Sequence, residues 1–190
     1  MTPPPSEHRG ALEALGLSGP ALGRLAAYLD TLAAWSVRVN LTGARSPAER
    51  VLWLVADVVA AAKLPAPGRL IDVGSGNGSP GLVLALLRDD LEVTLLEPRA
   101  RRWAFLREAA RASGRGGIEV QRRRHDGYSG APAETVTLRA LALPLAELQP
   151  LVKPQGRLIV FGGRPQVGPG LMATREGEGL PGGVAVFRRS

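Results

Sequence analysis

The sequence predicts an α/β protein, a mostly parallel, doubly wound sheet preceded by a helical cap, and two patterns carry that expectation. After Gly68, short apolar runs alternate with helix-periodic segments, as in strands joined by crossover helices. At the first such junction stands "DVGSGNGSPG", where an aspartate ends an apolar run and glycines then recur at alternate positions before a helical pattern resumes.

With 190 residues, 45% of them hydrophobic, the chain supports one well-buried core and a small appendage. There is no cysteine, so a disulfide framework, a thiolate zinc site and a cysteine nucleophile are all excluded. The opening "MTPPPSEHRG" lacks a signal-peptide core, and the longest apolar run, "VLWLVADVVAAAKL", is interrupted by Asp57 and too short to span a bilayer. A soluble, cytoplasmic protein with no membrane partner is expected. No internal repeat or coiled-coil heptad is present.

Residues 1–10 are Pro-rich and polar and read as a flexible tail. Residues 11–64 read as a helical cap: Leu22, Leu25, Leu29, Leu32 and Trp35 form one stripe, and Val51, Leu54, Val55 and Val58 another. The loop "SVRVNLTGARSP" separates them, with Ser46 as the expected helix cap before Pro47. Past the linker "LPAPG", residues 68–190 form the α/β domain. Strands are predicted at 70–73, 92–96, 118–121, 135–138 and 157–161, and helices at 80–88, 100–112 and 144–151. Beyond residue 161 the chain is glycine-rich, which predicts a loop or hairpin followed by an antiparallel edge strand at "VAVFRR". Trp35, Trp53 and Trp103 lie on helical stripes and read as core or interdomain packing, with base stacking the other reading.

The net charge is +7, and nine arginines, Arg99, Arg101, Arg102, Arg107, Arg111, Arg115, Arg122, Arg123 and Arg124, crowd one short segment. They form either a solvated helix face with a basic turn or a surface for a polyanion such as RNA.

In an open parallel sheet, ligands bind beyond the carboxyl ends of the strands, on the first strand-turn-helix. Gly74, Gly76 and Gly78 let the backbone approach a ligand and adopt dihedrals closed to other residues. Glu97 ends the next strand, where an acidic side chain takes the hydroxyls of a ribose. A dinucleotide turn wants glycine or alanine where this chain has Ser79, followed by Pro80. The spacing suits S-adenosylmethionine instead, with Asp72 near its cationic end, directly or through water. A nicotinamide-dependent oxidoreductase and a turn with no ligand remain the other readings. The predicted strand at 135–138 is followed by Arg139 and Ala140, not by the Asn/Asp-Pro-Pro-aromatic loop of exocyclic-amine methylation. A purine N7, which already carries a free lone pair, needs only alignment.

The stretches "LAAWSVRVNLTG", "DVGSGNGSPGLVLAL", "VTLLEPRARRWAFLRE", "LRALA" and "GRLIVFGG" resemble, in order and spacing, the RsmG (GidB) family of bacterial 16S rRNA guanine-N7 methyltransferases. The resemblance spans about residues 32–163. It implies a class I S-adenosylmethionine-dependent methyltransferase acting on small-subunit ribosomal RNA, as a monomer and without a metal. It also implies that Gly74, Ser75, Gly76, Gly78 and Ser79 form the cofactor turn, that Glu97 holds the ribose, and that His125 and Asp126 lie along the adenine. Arg139 matches the arginine of the family's Ser-Arg-Ala motif, at the mouth of the site, facing the methionine carboxylate or the target nucleotide. Asn40, Thr42 and Asp57 match positions on the substrate side; Asn40, Asp57 and Arg139 are the expected catalytic set.

The chain departs from the family pattern at Ser36, Leu54, Val58 and Gly162, where the family usually has Asn, His, Ser and Lys. The C-terminal segment also looks shortened. The cofactor half is thus kept better than the substrate half. A methyltransferase of this fold with another substrate, and a non-catalytic RNA-binding protein, stand as alternatives.

Overall fold

The computed structural model describes residues 6–163, 165 and 167–190. The cap begins with α1 (Arg9–Ala14) and α2 (Gly19–Ser36), the latter with Ser18 at its N-cap and Pro20 in its first turn. Leu22, Leu25, Tyr28, Leu29 and Leu32 are buried, a stripe at three- and four-residue spacing that turns one face of α2 inward. The third helix, α3 (Pro47–Val51), is opened by a capping box: Glu49 N donates to Ser46 Oγ, and Ser46 N donates to Glu49 Oε2, both at 3.2 Å. Five residues, Leu52–Ala56, then widen into a π-helical turn before α4 (Asp57–Ala60).

The α/β part contains β1 (Gly68–Val73), α5 (Gly81–Leu87), β2 (Leu91–Leu96), α6 (Ala100–Ala112), β3 (Ile118–Gln121), β4 (Ala133–Arg139), β5 (Val152–Phe161), β6 (Leu171–Ala173) and β7 (Val184–Arg189). They form a seven-stranded sheet in the order β3-β2-β1-β4-β5-β7-β6, parallel except for β7, which runs antiparallel to both β5 and β6. The chain moves outward from β1 through β2 to β3, then returns to β4 on the other side of β1. Its direction therefore switches between β1 and β4, and the space above their carboxyl ends is where side chains from both halves converge.

One face of the sheet is covered by helices. A single apolar cluster unites Leu12 of α1, the α2 stripe, Val51, Val58, the whole of α5 and Phe105, Leu106 and Ala109 of α6 with the sheet residues Leu70, Val93 and Ile159. Trp35 meets Phe105 edge-on at 6.1 Å, tying α2 to α6. The opposite face is thinner: Ile71, Val73, Val136 and Leu158, with Leu171 and Phe187 of the same sheet, are covered by Leu145, Leu148 and Leu151.

Several expectations are revised. The tail ends earlier than residue 10: His8 is fully buried, with its Nδ1 2.7 Å from Asp30 Oδ1, and Ser6 Oγ donates to the same oxygen at 2.8 Å. A carboxylate on α2 thus gives these polar groups a partner that a local reading does not see; residues 1–5 lie outside the described residues. The helix predicted at 144–151 is a 3₁₀ segment, Leu145–Leu151, because Pro150 lies inside it and cannot support an α-helical ladder. The antiparallel strand at the C-terminus, β7, is internal, and the edge belongs to the three-residue β6. Trp53, expected to pack in the core or between domains with base stacking as the other reading, is 49% exposed. Among the described residues no helix is long and apolar enough to cross a membrane.

Candidate functional site

A cleft of about 510 Å³ opens above the carboxyl ends of β1, β2 and β4. Its floor is the turn after β1. Gly74 has φ 70° and Gly76 φ 51°, both in the left-handed region, which lets the chain fold back under the cleft without a Cβ in the way. Glu97, almost fully buried at the end of β2, holds this turn: Gly76 N donates to Oε2 at 3.0 Å and Arg99 N to Oε1 at 2.8 Å. Each oxygen takes one backbone donor, so the carboxylate keeps acceptor capacity toward the cleft.

The turn is also tied to the cap. Ser79 Oγ donates to the Leu54 carbonyl at 2.6 Å, and Asn77 Nδ2 donates to the Leu41 carbonyl at 3.1 Å. The Asn77 side chain also accepts from Ser79 N at 3.1 Å, while its own carbonyl accepts the Tyr28 hydroxyl at 2.8 Å. Tyr28 is fully buried, and burial holds its phenol well above the usual range, so it acts as a neutral donor.

On the far wall, Arg139 at the end of β4 is fixed by three contacts. Its Nη2 donates to Asp57 Oδ2 at 2.8 Å, its Nη1 reaches the Trp53 carbonyl at 3.4 Å, and its Cζ lies 5.1 Å from the centre of the Phe161 ring. The π-helical turn therefore offers two carbonyls, those of Trp53 and Leu54, to the two walls of the cleft. Among the described residues, Asp57 Oδ1 and Arg139 Nε are buried with no hydrogen-bond partner. Ala140, next to Arg139, has φ 51°, and Leu141 packs directly over Gly74.

Of the residues expected in the site, Gly74, Ser75, Gly76, Ser79, Glu97, His125 and Arg139 line the cleft. His125 is buried at the cleft wall with Nε2 3.0 Å from Glu147 Oε2. Asp72 lies beneath the turn, not in the cleft. Side chains alternate along a strand, and at Asp72 the alternation points toward α5, where Thr137 Oγ1 donates to Oδ1 at 2.6 Å and Gly81 leaves no room for a Cβ. Burial pushes the Asp72 carboxyl up to about 6, against the opposing hydrogen bond from Thr137. Gly78 is likewise under the floor, against Leu82 and Tyr28.

Asp126 is exposed and paired with Arg124 at 3.3 Å, outside the cleft lining. Asn40 is also outside the lining; its carbonyl accepts from Arg102 Nη2 at 3.3 Å. Asp57 acts on the cleft through Arg139. Tyr28, Leu41, Asn77 and Leu141 were missed by sequence reasoning. Only Asn77 carried a signal, its place inside the glycine turn.

The residues present fit S-adenosylmethionine. The glycine floor admits a ligand against backbone, the buried Glu97 carboxylate keeps acceptor capacity for hydroxyls, and Arg139 supplies a fixed cation opposite it. The order of the strands and the position of this cleft are those of a class I S-adenosylmethionine-dependent methyltransferase. In solved structures, the fold is shared with a mutant of MtNAS in complex with S-adenosylmethionine, at TM-score 0.60 and 15% identity, over 96% of this chain and 83% of that one. It is shared also with TrmN from Thermus thermophilus, at TM-score 0.53 and 19% identity, over 84% of this chain and 52% of that one.

Residues 22–167 match the family described as GidB, rRNA small subunit methyltransferase G. The ribosomal RNA small subunit methyltransferase G of Halorhodospira halophila is 40% identical over 152 residues, 77% of this chain and 72% of that protein. The protein of the same name from Salinispora tropica is 40% identical over 177 residues, 85% of this chain and 71% of that one. The chain belongs to the ribosomal RNA small subunit methyltransferase G family.

Proposed function

We propose that this protein transfers a methyl group from S-adenosylmethionine to the N7 of a guanine in small-subunit ribosomal RNA, in the cytoplasm. The observation that carries this reading is the cleft itself: a ribose-competent carboxylate, Glu97, and a fixed cation, Arg139, face each other across a glycine floor, in a member of this family. When bound, the cofactor supplies an electrophilic methyl group whose loss from the sulfonium leaves a neutral thioether. Glu97 would take the ribose hydroxyls, the backbone of Gly74, Ser75 and Gly76 would carry the amino-acid portion, and His125 would lie along the adenine. Arg139 would hold the methionine carboxylate or the target nucleotide, with Asp57 fixing its orientation and Asn40 on the substrate side.

Guanine N7 presents its lone pair without losing a proton, so no general base is required. The site agrees with that: Asp57 is engaged by Arg139, and His125 by Glu147. Alignment in a confined cleft then does the work. Exposed Arg101, Arg122 and Arg123, beside or near the cleft, suit the phosphates of the RNA, and binding should weaken with salt.

The test is deletion of the gene followed by mapping of N7-methylguanine in 16S RNA. The expected result is loss of one modification, restored by the wild-type gene; an unchanged pattern removes the substrate assignment. A second reading, a methyltransferase of this fold with another substrate, is favoured by Leu54, Val58 and Gly162 on the substrate side. It predicts cofactor binding with no change in the 16S pattern.

A further inference from the structure

Trp53 lies on the π-helical turn whose carbonyls hold Arg139 and Ser79, two residues that line the cleft, and it is 49% exposed although it is the largest kind of side chain a core accepts. The other two tryptophans are engaged: Trp35 packs on Phe105, and Trp103 donates from its indole nitrogen to the Val120 carbonyl at 3.1 Å, with Arg107 stacked over its ring. One edge of the Trp53 ring rests near Gly43, in the loop that also supplies Leu41 to the cleft lining. Its main-chain carbonyl receives Arg139. The neighbouring Leu52 is 63% exposed. An aromatic ring is thus presented to solvent between the substrate loop and the fixed cation, beside a cleft that Arg102, Arg123 and Arg124 also line.

We infer that Trp53 is the stacking platform for an unpaired nucleobase of the RNA, either the target guanine or its immediate neighbour. Every base has a π-face, and an exposed aromatic side chain beside an arginine-lined cleft is an arrangement that holds single-stranded RNA. A base to be methylated must leave its helix, and a platform at the rim offsets the stacking it gives up. Charge complementarity selects the occupant: an apolar protein segment would gain nothing from the guanidinium groups of Arg102, Arg123 and Arg124 that line the neighbouring cleft, whereas a nucleotide presents a phosphate to them and a ring to Trp53. The inference rests on the reading of the chain as an RNA methyltransferase.

Trp53→Ala and Trp53→Phe test it in the full chain. With a 16S RNA transcript, the wild-type protein should show quenching of tryptophan emission that both variants lack. Trp53→Ala should bind that RNA roughly 5- to 100-fold more weakly, the range for loss of one base–aromatic stack. Trp53→Phe should recover most of the affinity, and the affinity for S-adenosylmethionine should stay within about twofold in both. Methyl transfer is measured separately on small subunits from cells lacking the modification. If the wild type methylates them and Trp53→Ala does so with an unchanged KM for the subunit, the stacking role is overturned and the methyltransferase reading stands. If RNA binding and quenching follow the pattern above while no guanine N7 is methylated, Trp53 keeps its role and the reaction assignment falls. Absence of RNA binding by the wild type overturns both.

Discussion

On the β1–β2 wall of the cleft, both oxygens of Glu97 receive backbone donors and Ser79 and Asn77 are hydrogen-bonded into the cap. On the β4 wall, Arg139 is held by Asp57 and the Trp53 carbonyl, Asp57 Oδ1 and Arg139 Nε are buried without partners among the described residues, and Leu141 and Trp53 are exposed at 40% and 49%. The first wall is held in shape by its own main chain. The second is held by the contacts of one long side chain, Arg139, and leaves apolar surface exposed; buried oxygens without a partner among the described residues occur beneath both walls, Asp72 Oδ2 under the first and Asp57 Oδ1 behind the second. A floor can be prebuilt from short backbone hydrogen bonds, whereas a wall made by a long side chain depends on the few ion-pair and carbonyl contacts that hold it.

The largest break in this comparison should come from Gly81→Ala. The added Cβ would collide with the Cβ and carboxyl of Asp72, in a buried strand that cannot yield, so chemical denaturation should show a loss of about 3 kcal/mol or more. Stability close to wild type would mean that the floor is softer than its packing indicates.

Asp72 gives a second test, read from pH. Its folded value of about 6 lies above the ordinary carboxylate value, so the folded chain holds the proton more tightly than the unfolded one. Its contribution to stability is therefore full below about pH 4, declines as the pH rises to about 6 and is flat above, a change of about 3 kcal/mol. Asp72→Asn keeps an acceptor for Thr137 and should remove this dependence. The difference in unfolding free energy between the two proteins should shift by about that amount from pH 4 to pH 7, and parallel curves would refute the assignment.

Glu97→Ala leaves the Gly76 and Arg99 amides without their acceptor and removes the proposed ribose contact. Calorimetry should show S-adenosylmethionine binding tenfold to hundredfold weaker, the effect of losing charged hydrogen bonds worth about 1.5–3 kcal/mol. Unchanged affinity would move the ribose elsewhere. Asn77→Ala cuts the tie between the floor and the cap and should destabilise by about 1 kcal/mol for each of its two side-chain bonds. The contrast comes from the rim: Leu52→Ser, at an exposed position, should change stability by less than about 0.5 kcal/mol.

The parts of the fold that were legible in advance are those coded over short distances. The helix predicted at 100–112 has those bounds, the strand at 118–121 likewise, and Ser46 with Pro47 announced the start of α3. The glycine turn and Glu97 were legible because a strand, a tight turn and a second strand end place them within one βαβ unit. The 3₁₀ segment at Leu145–Leu151 was not, because apolar spacing there is compatible with an α-helix and only the effect of Pro150 on its ladder decides between them.

By itself the sequence determined the α/β class, the cofactor turn and membership of the family, since all three rest on local patterns and motif order. Tertiary structure decided that Asp72 supports the floor from below, that Tyr28 reaches Asn77 across 49 residues of chain, that His8 is buried on Asp30 and that Trp53 is left half exposed. Periodicity says that a face will be covered. Which distant segment covers it, and which side chain is left to solvent, depends on how the cap settles on the sheet.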